Sequence, residues 1–68
     1  MDNKILYITQ SGSLSRNDNT LLFENESTKK VIPIVWIEQI LCLWEVTINS
    51  KLLQYLTKNK ITVHFFNY

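Results

Sequence analysis

The stretch EQILCLWEVTINSKLLQYLTKNKITVHFF, running from Glu38 to Phe66, decides how this chain is read. Its first part, Glu38-Gln39-Ile40-Leu41-Cys42-Leu43-Trp44, holds five consecutive apolar residues, the pattern of a strand buried on both faces. Ile48, Leu52, Tyr55 and Leu56 then recur at helical spacing and predict one amphipathic helix over Ile48–Lys58. Either Thr47 or Asn49 is placed to cap its start by accepting a bond from an orphan backbone N–H. Lys58 and Lys60 suit the negative end of the helix dipole, and Asn59 suits the left-handed residue that ends a helix. Thr62–Phe66 follows as a last strand. Strand, helix and strand in that order predict a right-handed crossover joining two parallel strands.

Upstream of this unit, short apolar runs alternate with turn clusters, as in antiparallel hairpins. Lys4–Thr9 reads as a first strand, and Gln10-Ser11-Gly12 as a turn in which Gly12 supplies a positive φ. Ser13–Arg16 is a second strand, reversed by Asn17-Asp18-Asn19, and Thr20–Phe23 a third. Glu24–Thr28 is polar enough for a loop. Lys29–Ile32 reads as a fourth strand, ended by Pro33, which lacks a ladder donor. The predicted fold is therefore α+β: a small β-rich domain with an antiparallel hairpin meander, followed by a strand-helix-strand unit in a mixed sheet.

A chain of 68 residues supports one core, and only about 60% of the unfolded surface can be buried at this size. The apolar fraction of 46% excludes disorder, and the net charge of +1 excludes a bulk electrostatic footprint for nucleic acid. The single cysteine, Cys42, cannot close an intramolecular disulfide and predicts a reducing, cytoplasmic setting. Ile5-Leu6-Tyr7-Ile8 is too short for a signal-peptide core or a bilayer span, so no membrane association is expected.

Catalytic constellations are missing from the residues read in this way. His64, the only histidine, has no catalytic company, and no spacing supplies the three or four ligands of a metal site. Cys42 lies in an apolar run that raises a thiol's pKa and quenches its reactivity. Glu24 and Glu26 stand in a polar segment beside Lys29 and Lys30 and read as a solvated loop rather than an acid–base pair. Ser11, Ser13 and Ser15 lack a nucleophile-elbow context, and Gly12 alone cannot cradle a phosphate. Among the aromatics, Phe23, Trp44 and Phe65 are expected in the core. Tyr7, Trp36, Phe66 and Tyr68 are left open between core and an exposed interface patch.

Several phrases in collinear order nevertheless form a pattern. They are Tyr7-Ile8-Thr9, then Ser11-Gly12-Ser13-Leu14-Ser15-Arg16-Asn17-Asp18-Asn19-Thr20-Leu21, then Val31-Ile32-Pro33-Ile34. Glu45-Val46-Thr47-Ile48-Asn49-Ser50-Lys51-Leu52-Leu53 and Val63-His64-Phe65-Phe66-Asn67 complete it. Together they resemble the amino-terminal β domain of the CRISPR adaptation integrases, metal-dependent DNA endonucleases that insert new spacers into the CRISPR array. Leu41-Cys42-Leu43-Trp44 is bulkier than that pattern.

The resemblance implies that residues 1–68 are a single amino-terminal β-rich domain, the front portion of a longer enzyme. A larger carboxy-terminal helical domain would carry the catalytic Glu, His and Asp and their divalent metal, magnesium or manganese. None of those positions matches a residue here, so no catalytic and no metal-binding residue is expected in this chain. It also implies a homodimer, docking near the small adaptation partner protein, and contact with double-stranded DNA. Arg16, Asn17, Lys29 and Lys30 are the candidate DNA-binding residues, through phosphate neutralisation. The alternative reading is a stand-alone noncatalytic module that dimerises or binds a protein partner through an exposed edge or aromatic patch.

Overall fold

A computed structural model describes residues 4–66. Seven strands, one 3-10 turn and one helix follow in the order β1 (Ile5–Ile8), β2 (Gly12–Asn17), β3 (Thr20–Glu24), β4 (Lys29–Pro33), the 3-10 turn Ile34–Trp36, β5 (Gln39–Cys42), β6 (Val46–Ile48), α1 (Ser50–Lys58) and β7 (Thr62–Phe65). They make two sheets. One has three strands in the order β1-β5-β7, all parallel, and the other four in the order β4-β3-β2-β6, mixed. The expected α+β class, β-rich with one helix and a mixed sheet, is what forms.

The parallel pairing expected of the crossover forms: β5 and β7 are neighbours, Gln39 beside Thr62 and Cys42 beside Phe65, with α1 between them in the chain. The meander holds for β2, β3 and β4, whose register sets Leu14 against Phe23 and Phe23 against Lys30. Pro33 ends β4 on the sheet edge, where its missing donor breaks no ladder.

The first strand does not join that meander. Residues Ile5–Ile8 leave it for the other sheet and pair in parallel with Gln39–Cys42. The reason is burial: Leu6 and Ile8 share a face with Ile40 and Cys42, and that face packs into the core. Gln10-Ser11-Gly12 is consequently a passage between sheets rather than a hairpin turn, and Gly12 has no positive φ. Its role is close approach, because a Cβ there would lie 2.7 Å from Phe23 Cζ and 2.8 Å from the Glu24 carbonyl oxygen. Positive φ falls instead on Asp18 (54°), inside the predicted Asn17-Asp18-Asn19 reversal, and on Lys60 (62°).

Other boundaries also shift. Glu24 ends β3 as the ladder partner of Ser13 and Lys29 instead of opening the loop. Val46–Ile48 is a strand, parallel to β2, so the helix starts two residues later than its apolar stripe. Asn49 is then the cap, its side-chain oxygen accepting from Leu52 N at 2.8 Å. Asn59 keeps φ −93° and passes the left-handed conformation to Lys60.

Among the described residues eleven buried apolar side chains form one connected core; Leu21, Ile40, Cys42 and Leu56 are its fully enclosed members. Phe23 belongs to it, as expected. Trp44 and Phe65 do not: Trp44 sits beyond the end of β5 in the connection to β6, and Phe65 at the end of an edge strand, 59% and 49% exposed. Tyr7, Trp36 and Phe66 are exposed as well, whereas Tyr68 lies outside the described residues. Burial pushes the Cys42 thiol above its ordinary range, in keeping with a buried hydrophobe rather than a nucleophile. Among the described residues no helix is long and apolar enough to cross a membrane.

Candidate nucleic-acid interface

Arg16 occupies the second-last position of β2, just before the β2–β3 turn. Alternation along the strand puts it on the same side as Gly12 and Leu14, the side packed toward α1. Its guanidinium carbon stands 3.7 Å from the centroid of the Tyr55 ring on α1. Its Nε donates to the Asp18 carbonyl at 2.8 Å, so the side chain ties its own turn to the helix. Among the described residues only Nε is engaged in a hydrogen bond. The terminal amino groups keep their donors for an acceptor outside the fold.

A shallow depression beside it is lined by Ser15, Arg16, Asp18, Asn49, Lys51 and Leu52. Two cations, Arg16 and Lys51, therefore share one rim at the start of α1, whose first turn carries no acidic residue. Positive side chains near the unpaired N–H groups of a helix start favour an anion there. Asp18 is the one opposing charge on the rim. The rest of the lining is uncharged.

The other predicted residues lie elsewhere. Asn17 follows Arg16 and so faces the opposite side of the sheet, its carbonyl accepting from Thr20 Oγ1 at 2.7 Å. Lys29 and Lys30 sit on β4, two strands away, and as neighbours in one strand they point to opposite faces. In the register, Arg16 meets Leu21 and Leu21 meets Ile32, so Lys30 is displaced by two residues along β4. Strand spacing and rise then separate Arg16 and Lys30 by about 12 Å between backbones. Lys30 borders a different slot, with Tyr7, Thr28 and Ile32. Lys29 is the ladder partner of Glu24, which offsets its charge locally.

The fold thus separates the two lysines from Arg16 and supplies Lys51 in their place, a residue the sequence reading passed over. A signal for it existed. A lysine in the first turn of a helix works against the dipole, and such a misplaced cation is worth asking about. Among the described residues no group of three or more His, Cys, Asp or Glu side chains is arranged to hold a metal ion, so these residues do not fit the metal that the resemblance implies for the longer enzyme.

Comparison with known proteins places this geometry in context. The family model described as CRISPR associated protein Cas1 matches residues 6–68. A CRISPR-associated endonuclease Cas1 2 of Thermodesulfovibrio yellowstonii is 48% identical over 65 residues, 96% of this chain and 20% of that protein. The CRISPR-associated endonuclease Cas1 of Methanothermobacter thermautotrophicus is 46% identical over 67 residues, 98% of this chain and 20% of the relative. The solved structure of a CAS1 protein from Thermotoga maritima superposes with a TM-score of 0.85 at 38% identity, covering 93% of this chain and 21% of that one. The chain spans about a fifth of the length of the curated relatives it matches.

Proposed function

We propose, on the premise that the chain belongs to the family of CRISPR associated protein Cas1, that it is the framework portion of a CRISPR-associated endonuclease that inserts new spacers. In that reading it pairs with a second copy, docks beside the small adaptation partner and positions double-stranded DNA. The divalent-metal chemistry belongs to the part of the protein that the relatives have beyond this fifth. The observation that carries the reading is the extent of the likeness: the family match runs through residues 6–68, turn and cap phrases included, with the fold reproduced at a TM-score of 0.85.

DNA positioning is assigned to the Arg16–Lys51 rim. Phosphate contacts fix register and orientation without reading sequence, and a guanidinium braced on an aromatic ring is already ordered before it meets a phosphate. Asn17 and Lys29 face the other side of the sheet, and Lys30, though on the side of Arg16, lies two strands away, so all three are secondary contacts at most.

The test uses the full-length protein with Arg16→Ala and Lys51→Ala, measuring duplex affinity across a salt series. Each substitution is expected to weaken binding alike on all sequences and to lower the slope of log K against log salt by about 1. Arg16→Lys, which keeps the charge, should retain the slope. Unchanged affinity and slope in both alanine variants would remove the rim from the interface.

A further inference from the structure

One side of α1 is set apart by its residues. Lys51, Gln54 and Lys58 are exposed, and Tyr55 is half-buried where that side meets the enclosed Leu52 and Leu56. Residues three, four and seven apart stand above one another on a helix, so Lys51, Gln54, Tyr55 and Lys58 form one strip along it. No residue from Ser50 to Lys58 is Asp or Glu, so neither lysine has an acidic partner within the helix.

Arg16 reaches this strip from β2. Its guanidinium carbon lies 3.7 Å from the centroid of the Tyr55 ring, and its Nε donates to the Asp18 carbonyl at 2.8 Å. A free arginine side chain samples many rotamers, and these two anchors remove most of that freedom before any ligand arrives. The terminal amino groups keep their donors. The turn that carries the ring is fixed as well, since the Tyr55 carbonyl accepts from the backbone and the side-chain amide of Asn59, at 3.1 and 2.8 Å.

The helix rises about 6 Å from Lys51 to Tyr55 and about 4.5 Å from there to Lys58. Lys51, Arg16 on the Tyr55 ring, and Lys58 are therefore spread along a track roughly 10 Å long. One strand of duplex DNA carries a phosphate about every 3.4 Å along the axis, so a track of this length spans about three. Lys60, the next cation along the chain, is placed differently. It borders a depression with Leu53, Thr57 and Ile61, and Leu53 and Thr57, two and six residues from Lys51, belong to the other side of α1. The helix dipole favours a lysine in the last turn, which is reason enough for Lys58 on its own. It gives no reason for Lys51 in the first turn, nor for the line that both share with Arg16.

We infer that Lys58 is a further contact to DNA phosphate and that Tyr55 is a positioning residue, which sets Arg16 in line with Lys51 and Lys58 so that α1 follows one strand of a duplex. The inference rests on the assignment of DNA positioning to the Arg16–Lys51 rim, and its test separates the two.

Duplex affinity is measured over a salt series with the full-length protein. Lys58→Ala is expected to lower the slope of log K against log salt by about 1, which the loss of a favourable helix-end charge would not do. Lys60→Gly removes a charge off the track and should leave the slope as it is in the wild type. Tyr55→Leu keeps every charge, so its slope should stay while affinity falls about threefold. Tyr55→Phe, which keeps the ring, should bind as the wild type does. In an Arg16→Ala background Tyr55→Leu should cost nothing more, because the group it positions is gone. An unchanged slope in Lys58→Ala, with Arg16→Ala and Lys51→Ala still lowering theirs, would overturn the track and leave the rim standing. An equal loss from Tyr55→Leu with and without Arg16 would overturn the positioning role. Unchanged slopes in all three alanine variants would remove the rim and the track together.

Discussion

A methyl group on Gly12 would meet Phe23 Cζ at 2.7 Å and the Glu24 carbonyl oxygen at 2.8 Å, and neither neighbour can yield, one being core and the other backbone of the paired strand. Gly12→Ala is therefore expected to destabilise the fold by about 1–3 kcal/mol, read as a lower urea midpoint at unchanged slope. A wild-type midpoint would show that the sheets can part there at no cost. The residue was legible as special, but for the wrong reason, because a glycine read in one dimension suggests a turn while its contact with Phe23 exists only after β2 and β3 pair. Arg16 shows the same limit. Its type and its position before the Asn17-Asp18-Asn19 reversal were visible, whereas its partners Tyr55 and Lys51 arrive on a helix far along the chain. Cys42 needed no such help, since its apolar neighbours alone announced a buried thiol.

The helix shows how far an element can be read from its own residues. Its stripe of Leu52 and Leu56 is buried as the spacing required, but the choice between Thr47 and Asn49 as cap was made by β6, which draws Thr47 into a ladder with Ser13. At the other end the backbone closes with Lys60 N on Thr57 O and Ile61 N on Leu56 O, the paired bonds of a Schellman motif, with buried Ile61 and Leu56 supplying its apolar contact. The left-handed position is Lys60, not Asn59, which instead donates its side-chain amide to the Tyr55 carbonyl at 2.8 Å. Lys60→Gly should therefore stabilise the protein by about 0.5–1 kcal/mol in urea unfolding, since glycine takes this conformation without the Cβ clash. A loss of stability instead would mean that the lysine side chain contributes more than its backbone strain costs.

At the scale of the molecule, two sheets and one helix enclose a single apolar core, and among the described residues no three or more His, Cys, Asp or Glu side chains converge. Metal-dependent strand scission requires such convergence, with ligands that hold the ion against both the entering and the leaving oxygen. The 68-residue chain is accordingly expected to show no cleavage of duplex DNA with magnesium or manganese present. Reproducible cleavage by the purified chain, lost on adding a chelator, would bring the chemistry back into this portion of the family's architecture.

What the sequence determined by itself is what short-range physics controls: strand and helix periods, the Asn17-Asp18-Asn19 reversal, the edge proline Pro33 and the crossover of β5, α1 and β7. Those signals lie within a few residues of the structure they specify. The destination of β1 was decided only in three dimensions, because a strand's backbone bonds equally well to any partner. The choice of β5 over β2 came from enclosing Leu6 and Ile8 with Ile40 and Cys42 in one core. The pairing of β6 with β2 likewise set the start of α1, and with it Lys51, on the rim that Arg16 lines, and no local pattern encodes that outcome.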